Sequence, residues 1–191
     1  MKIIGSKQIC LLINGYLQDD YTMAILRCTK KLLSELNIRP TDSSHLFDDF
    51  GSWHCNLFRI DRRKCVLFTH DRTLYSFLVP GLTKSGFQNI CEIFKQSLFK
   101  NLIEENIPQK QIELFLDNNK KIEISKTNNR SVLGSMNDLT FQLKYQIRDE
   151  GGILNTNVMK LNHDLNRIPM SAIKGIYSIY ELENFLNSHN R

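Results

Sequence analysis

The residues best suited to chemistry lie in one run, Lys126-Thr127-Asn128-Asn129-Arg130-Ser131-Val132-Leu133-Gly134-Ser135-Met136-Asn137-Asp138, where a strand pattern gives way to a helix pattern. Hydroxyls, amides and two cations stand there just ahead of a helix N-terminus, whose free backbone N–H groups and positive dipole end favour an anion. Lys126, Thr127, Asn129, Arg130 and Ser131 are candidate ligands for a phosphate or a nucleotide edge, Arg130 offering a planar fork of donors. Ser135, with Asp138 three residues on, has the form of a helix cap beside them. The run is not a phosphate-binding P-loop, because Gly134 is its one glycine and no lysine follows it. A purely structural account also fits: Asn128-Asn129 turns the chain, Ser135 caps the helix, and Arg130 pairs with a carboxylate such as Asp138.

A second group is Arg62, Arg63, Lys64 and Arg72, with Arg59, close in sequence to Trp53, Phe58, His70 and Tyr75. Cations beside aromatics can follow a single nucleic-acid strand by charge and stacking. The competing account is a pair of hairpin tips with Asp61 and Asp71 as internal partners and the aromatics turned into the core. His54, Cys55, Cys65 and His70 have the chemistry of metal ligands. A three-residue turn at Asp61 to Arg63 would set His54 opposite His70, but alternation then places Cys55 and Cys65 on the other face, so four ligands do not converge. No metal and no cofactor is expected. A Cys–His nucleophile is not expected either, because the thiols sit in apolar strand patterns. His163-Asp164 has the composition of an acid/base couple, but Asn162, Asn166 and Arg167 around it read as a solvated helix end.

The elements that must position these residues follow from periodicity. Met1 to Tyr21 differs from the rest and is read as an N-terminal extension or extra strand over 1–22, ahead of a single domain over 23–191. Met23 opens a short strand, Thr29 stands at an N-cap position before Lys30 to Leu36, and Pro40 closes that helix. Thr41 to Asp49 is a loop, and Trp53 to Val79 reads as three strands with tight turns at Asp61-Arg62-Arg63 and His70-Asp71-Arg72. Apolar residues on both faces of these strands predict cover on both sides. Ser85 to Asn106 is a helix with Phe87, Ile90, Phe94, Leu98 and Leu102 at helical spacing, Pro108 opens a second, and Lys121 to Ser125 is a strand. The next helix is expected from Ser135 to Gly151, with helices over Val158 to Leu165 and Tyr180 to Leu186 in the tail. The fold class is α+β: a mostly antiparallel sheet with a central three-strand meander and helices packed on it.

Composition narrows the function classes. A chain of 191 residues, 41% hydrophobic, can bury a sizeable core. The net charge of +5 leans toward a polyanion, although Lys and Arg are scattered. Five cysteines, Cys10, Cys28, Cys55, Cys65 and Cys91, have no CxxC spacing and follow no cleavable signal, which points to reduced thiols and a cytoplasmic location. No apolar run approaches the ~20 residues that span a bilayer, so no membrane role is expected.

The segments Arg27 to Leu33, Ile60 to Thr69, Ser76 to Gly81 and Asn129 to Asp138 resemble a family of small bacterial proteins of unknown function, over about Met23 to Ile173. The resemblance implies that the unit begins near Met23 and that the Arg130 loop belongs to the family pattern; it carries no activity. Two function classes remain. One is a phosphate-directed protein that binds RNA or a nucleotide, extending to a metal-independent, toxin-type nuclease in which Arg130 stabilises charge and His70 or His54 moves a proton. The other is a non-catalytic protein-interaction module, such as one half of a two-component bacterial system, in which the same loop docks a protein partner's acidic surface.

Overall fold

A computed structural model describes residues 23–41, 51–117 and 121–188 of the chain. The N-terminal extension, most of the Thr41 to Asp49 loop and the Asn118-Asn119 break lie outside them. Five strands form one sheet in the order β4-β3-β2-β1-β5. They are β1 (Met23–Cys28), β2 (Ser52–Ile60), β3 (Arg63–His70), β4 (Ser76–Val79) and β5 (Lys121–Lys126). β1 runs parallel to both β2 and β5, while β2, β3 and β4 pair antiparallel. The sheet is therefore mixed rather than mostly antiparallel, and Trp53 to Val79 fills it only from its middle strand to one edge. Short single strands such as Ala24 to Cys28 give no sign in sequence of the partner they will take.

Local chemistry sets the boundaries. α1 (Lys30–Leu36) ends at Asn37 rather than at Pro40, because Asn37 takes the left-handed conformation (φ 53°) and donates its N–H to Leu33 O. The β2–β3 turn has two residues, Asp61 and Arg62, both at positive φ, the geometry that matches strand twist. The helix expected from Ser85 breaks at Asn89 into α2 (Lys84–Gln88) and α3 (Ile90–Glu104); the Asn89 side chain donates back to Ser85 O. α4 (Gln109–Asp117), α5 (Arg130–Asp149), α6 (Val158–Leu165) and α7 (Ser178–Ser188) complete the described elements.

Two cores flank the sheet. Leu26, Trp53, Phe68 and Phe77 on one face pack against Leu32 of α1, Phe94 of α3, Phe115 of α4 and Leu182 of α7. Phe58, Leu67 and Leu78 on the other pack against Met136, Leu139 and Leu143 of α5 and Leu161 of α6. The far end of α5 is tied to the β2–β3 turn: Asp61 accepts the Ile153 N–H at 2.8 Å. Gly152 beside it has φ 104°, and a Cβ there would lie 2.7 Å from the Asp61 carboxylate, so this position needs glycine.

The free edge of β4 is closed by side chains. Asn162 accepts the Leu78 N–H at 2.8 Å and donates to its carbonyl at 3.3 Å, and Asn166 does the same for Ser76 at 2.8 and 2.8 Å. Both asparagines are buried, so this part of α6 is not the solvated helix end its composition implies. Among the described residues no helix is long and apolar enough to cross a membrane.

Candidate functional site

One row of paired positions is polar from edge to edge on a single face of the sheet: Thr41, Ser125, Arg27, His54, Thr69 and Ser76. All but Thr41 are buried. Buried polar groups must be paired, and the strands place them to pair with each other. Thr69 and Ser76 share a hydrogen bond of 2.8 Å between hydroxyls. Asp71, in the turn after β3, reaches over the row: one oxygen lies 2.6 Å from His54 Nδ1, the other 3.3 Å from Arg27 Nε. Arg27 also donates to Ser52 Oγ at 3.5 Å.

His54 joins this network to the β5–α5 connection, because its Nε2 accepts the Asn129 N–H at 3.3 Å. Accepting there leaves the ring proton on Nδ1, facing Asp71. Asn129 in turn caps α5, its Oδ1 taking the N–H groups of Ser131 and Val132 at 2.9 and 3.3 Å. A fully buried histidine thus fixes where α5 begins.

Beyond Arg27 the row opens. Arg27 and Ser125 line a crevice of about 290 Å³ with Lys126, Thr127 and Asn128 on the way to α5, and with Pro40 and Thr41. Thr41 stands alongside β5, its N–H donated to Ile124 O at 2.9 Å. β1 and β5 are parallel neighbours, yet the helix after β1 packs on one face of the sheet and the helix after β5 on the other. Carboxyl ends that part in this way make a topological switch point, where open sheets bind ligands.

The structure distributes the residues singled out in the sequence. Lys126 and Thr127 line the crevice, Asn129 is the cap, and Arg130 and Ser131 are exposed in the first turn of α5. Ser135 is not the cap: it is buried a turn and a half inside α5 and lines a different depression with Asp138 and 168–172. α5 begins early because Asn129 satisfies its first N–H groups and its buried stripe already starts at Val132. Arg130 and Asp138 are then about 12 Å apart along the helix, too far to pair.

Arg62, Arg63 and Lys64 line a shallow depression with Lys84, and Lys64 pairs with Glu35. Arg72 lies at the other end of β3, about 25 Å away by strand rise, over the Phe185 ring. Trp53, Phe58 and Tyr75 are buried, so they present no stacking surface. His70 pairs in register with Trp53, on the opposite face from His54, and packs against Phe115 and Phe185. The two-residue turn also puts Cys65 on the face of His54, four residues along, while Cys55 faces the other core. Burial, with Cys28 adding to it, pushes the Cys55 thiol well above its ordinary range; burial also raises Cys65 and Cys91. Among the described residues no three His, Cys, Asp or Glu side chains are grouped to hold a metal. His163 and Asp164 lie 3.4 Å apart, with Lys160 on Asp164 and Arg167 on Glu105.

Arg27, Asp71 and Ser125 escaped the sequence reading. For Arg27 the signal is a lone polar residue at an inward position of an otherwise apolar strand, Ala24-Ile25-Leu26-Arg27-Cys28; Asp71, in a turn, and Ser125, in a strand with Lys121, Glu123 and Lys126, carry no such signal. The profile of a domain of unknown function, DUF6933, matches residues 25–181. The chain belongs to this family. The matched span holds the polar row, the crevice and all of α5. No curated protein matches the chain.

Proposed function

We propose that this family member binds a phosphate-bearing ligand, an RNA or a nucleotide, in the Arg27 crevice. The observation that carries the reading is Arg27 itself. Arg27, only 3% exposed and anchored by Asp71, lines a crevice that also holds Lys126, Ser125, Thr127 and Thr41. A pre-oriented guanidinium loses little freedom on binding, and its fixed charge favours phosphate. Arg130, exposed in the first turn of α5, would meet a longer ligand rather than its first phosphate. Binding is favoured over cleavage, because His54 and His70 are both fully buried and neither presents a base to the crevice.

The test is a fluorescence-anisotropy titration of labelled short single-stranded RNA and labelled nucleotides at two salt concentrations. Arg27→Lys is expected to weaken binding by about tenfold or more while far-UV circular dichroism stays unchanged. Lys126→Ala is expected to weaken it less and to lower the salt slope by about one. No saturable binding at tens of micromolar protein sinks the reading.

A further inference from the structure

The outer face of α5 presents Gly134, Asp138, Phe141, Tyr145 and Arg148, all exposed. Their spacing alternates four and three residues, the repeat of a seam that meets another helix. Among the described residues this face has no apolar purpose, since Val132, Met136, Leu139, Leu143 and Ile147 already fill the core side. Yet Phe141 is 74% and Tyr145 62% exposed, an aromatic pair one turn apart in the middle of a twenty-residue helix. Arg148 lies over the Tyr145 ring, 6.0 Å from its centroid. Next to Phe141 a groove of about 340 Å³ opens between α5 and Ile168-Pro169-Met170.

We infer that this face docks a second copy of the chain through an antiparallel α5–α5 pair. The pattern is self-complementary about the level of Leu143. In an antiparallel pair, residues equally far from the two-fold axis on either side face each other. Phe141 and Tyr145 each stand two positions from that level, and Asp138 and Arg148 each stand five. A two-fold there sets Phe141 on Tyr145 of the second copy and Asp138 on its Arg148, and repeats both contacts by symmetry. The Tyr145 ring of the second copy enters beside Asp138, Phe141 and Gln142, at the mouth of the groove. An acidic or a basic partner fits less well, because the seam carries one charge of each sign at symmetric positions.

Sedimentation equilibrium over a wide range of protein concentration tests this on the full chain. Wild type is expected to be a dimer, and Asp138→Arg and Arg148→Asp are each expected to weaken it at least about tenfold by setting like charges together. The double variant carrying both reversals is expected to return to wild-type association, and Phe141→Ser to be monomeric. All these residues are exposed, so circular dichroism of each variant should match wild type. A monomeric wild type, a dimer indifferent to the single reversals, or a double variant that fails to recover overturns the assignment. None of these readouts depends on ligand binding in the Arg27 crevice.

Discussion

Two neighbouring rows cross the same sheet, one residue apart and on opposite faces. The first runs Ser125, Arg27, His54, Thr69, Ser76; the next runs Lys126, Cys28, Cys55, Phe68, Phe77. Apart from exposed Lys126 at its end, the second is apolar and held by packing: Phe68 stacks on Phe77 at 5.1 Å and meets Phe94 at 5.3 Å. The polar row is held by directed bonds and a charge pair, and it ends in an open crevice. The difference teaches that one face of the sheet serves as foundation and that the other, over the same few ångströms of strand, is organised around placing groups. A polar row of this length is costly unless each member is paired. Its opening at the switch point is the reason to look there for function.

The comparison can be broken at three depths. Phe68→Ala should have the largest effect, about 3–5 kcal/mol of lost stability, read by urea denaturation; a loss under about 1 kcal/mol would mean the apolar row is not the foundation. Asp71→Ala should come next, at about 3 kcal/mol, since it strands Arg27 and His54 without their shared carboxylate. If stability is instead unchanged, the polar row holds nothing together and its residues are free of structural duty. Asn129→Ala should be the mildest, at about 1 kcal/mol, by removing the cap of α5. Hydrogen exchange should localise that loss to the first turn of α5; protection lost throughout the sheet would show that the cap and the His54 network are one unit.

Much of this architecture was legible. The strands at Met23, Lys121 and across Trp53 to Val79 and the helices at Lys30, Pro108 and Val158 follow from period and turn chemistry. Strand partners were not legible, because alternation says which face a residue takes and not which strand will lie beside it. That gap hid part of the crevice lining. Lys126 and Thr127 were singled out together because they are neighbours in the chain, whereas Arg27 and Ser125 meet only through the parallel β1–β5 pairing. Asp71 does lie in the hairpin turn it was assigned to, but its carboxylate reaches His54 of β2 and Arg27 of β1, and Asn129 was read as a turn residue although its side chain is the better cap. For Arg27, Ser125 and Asp71 the deciding partner lies far away in sequence, whereas the Asn129 cap is local, its partners being Ser131 and Val132.

The two asparagines on α6 carry a different consequence. Each offers the edge of β4 both a donor and an acceptor, which is what another strand's peptide groups would offer. The sheet therefore terminates in side-chain amides, and an extended chain approaching from that side finds Ser76 and Leu78 already taken. Replacing both asparagines by leucine would keep the bulk of the packing and uncover those groups. The change to watch for is fibrillar growth by stacking of open edges, a failure that the wild-type sequence forestalls with two residues one helical turn apart.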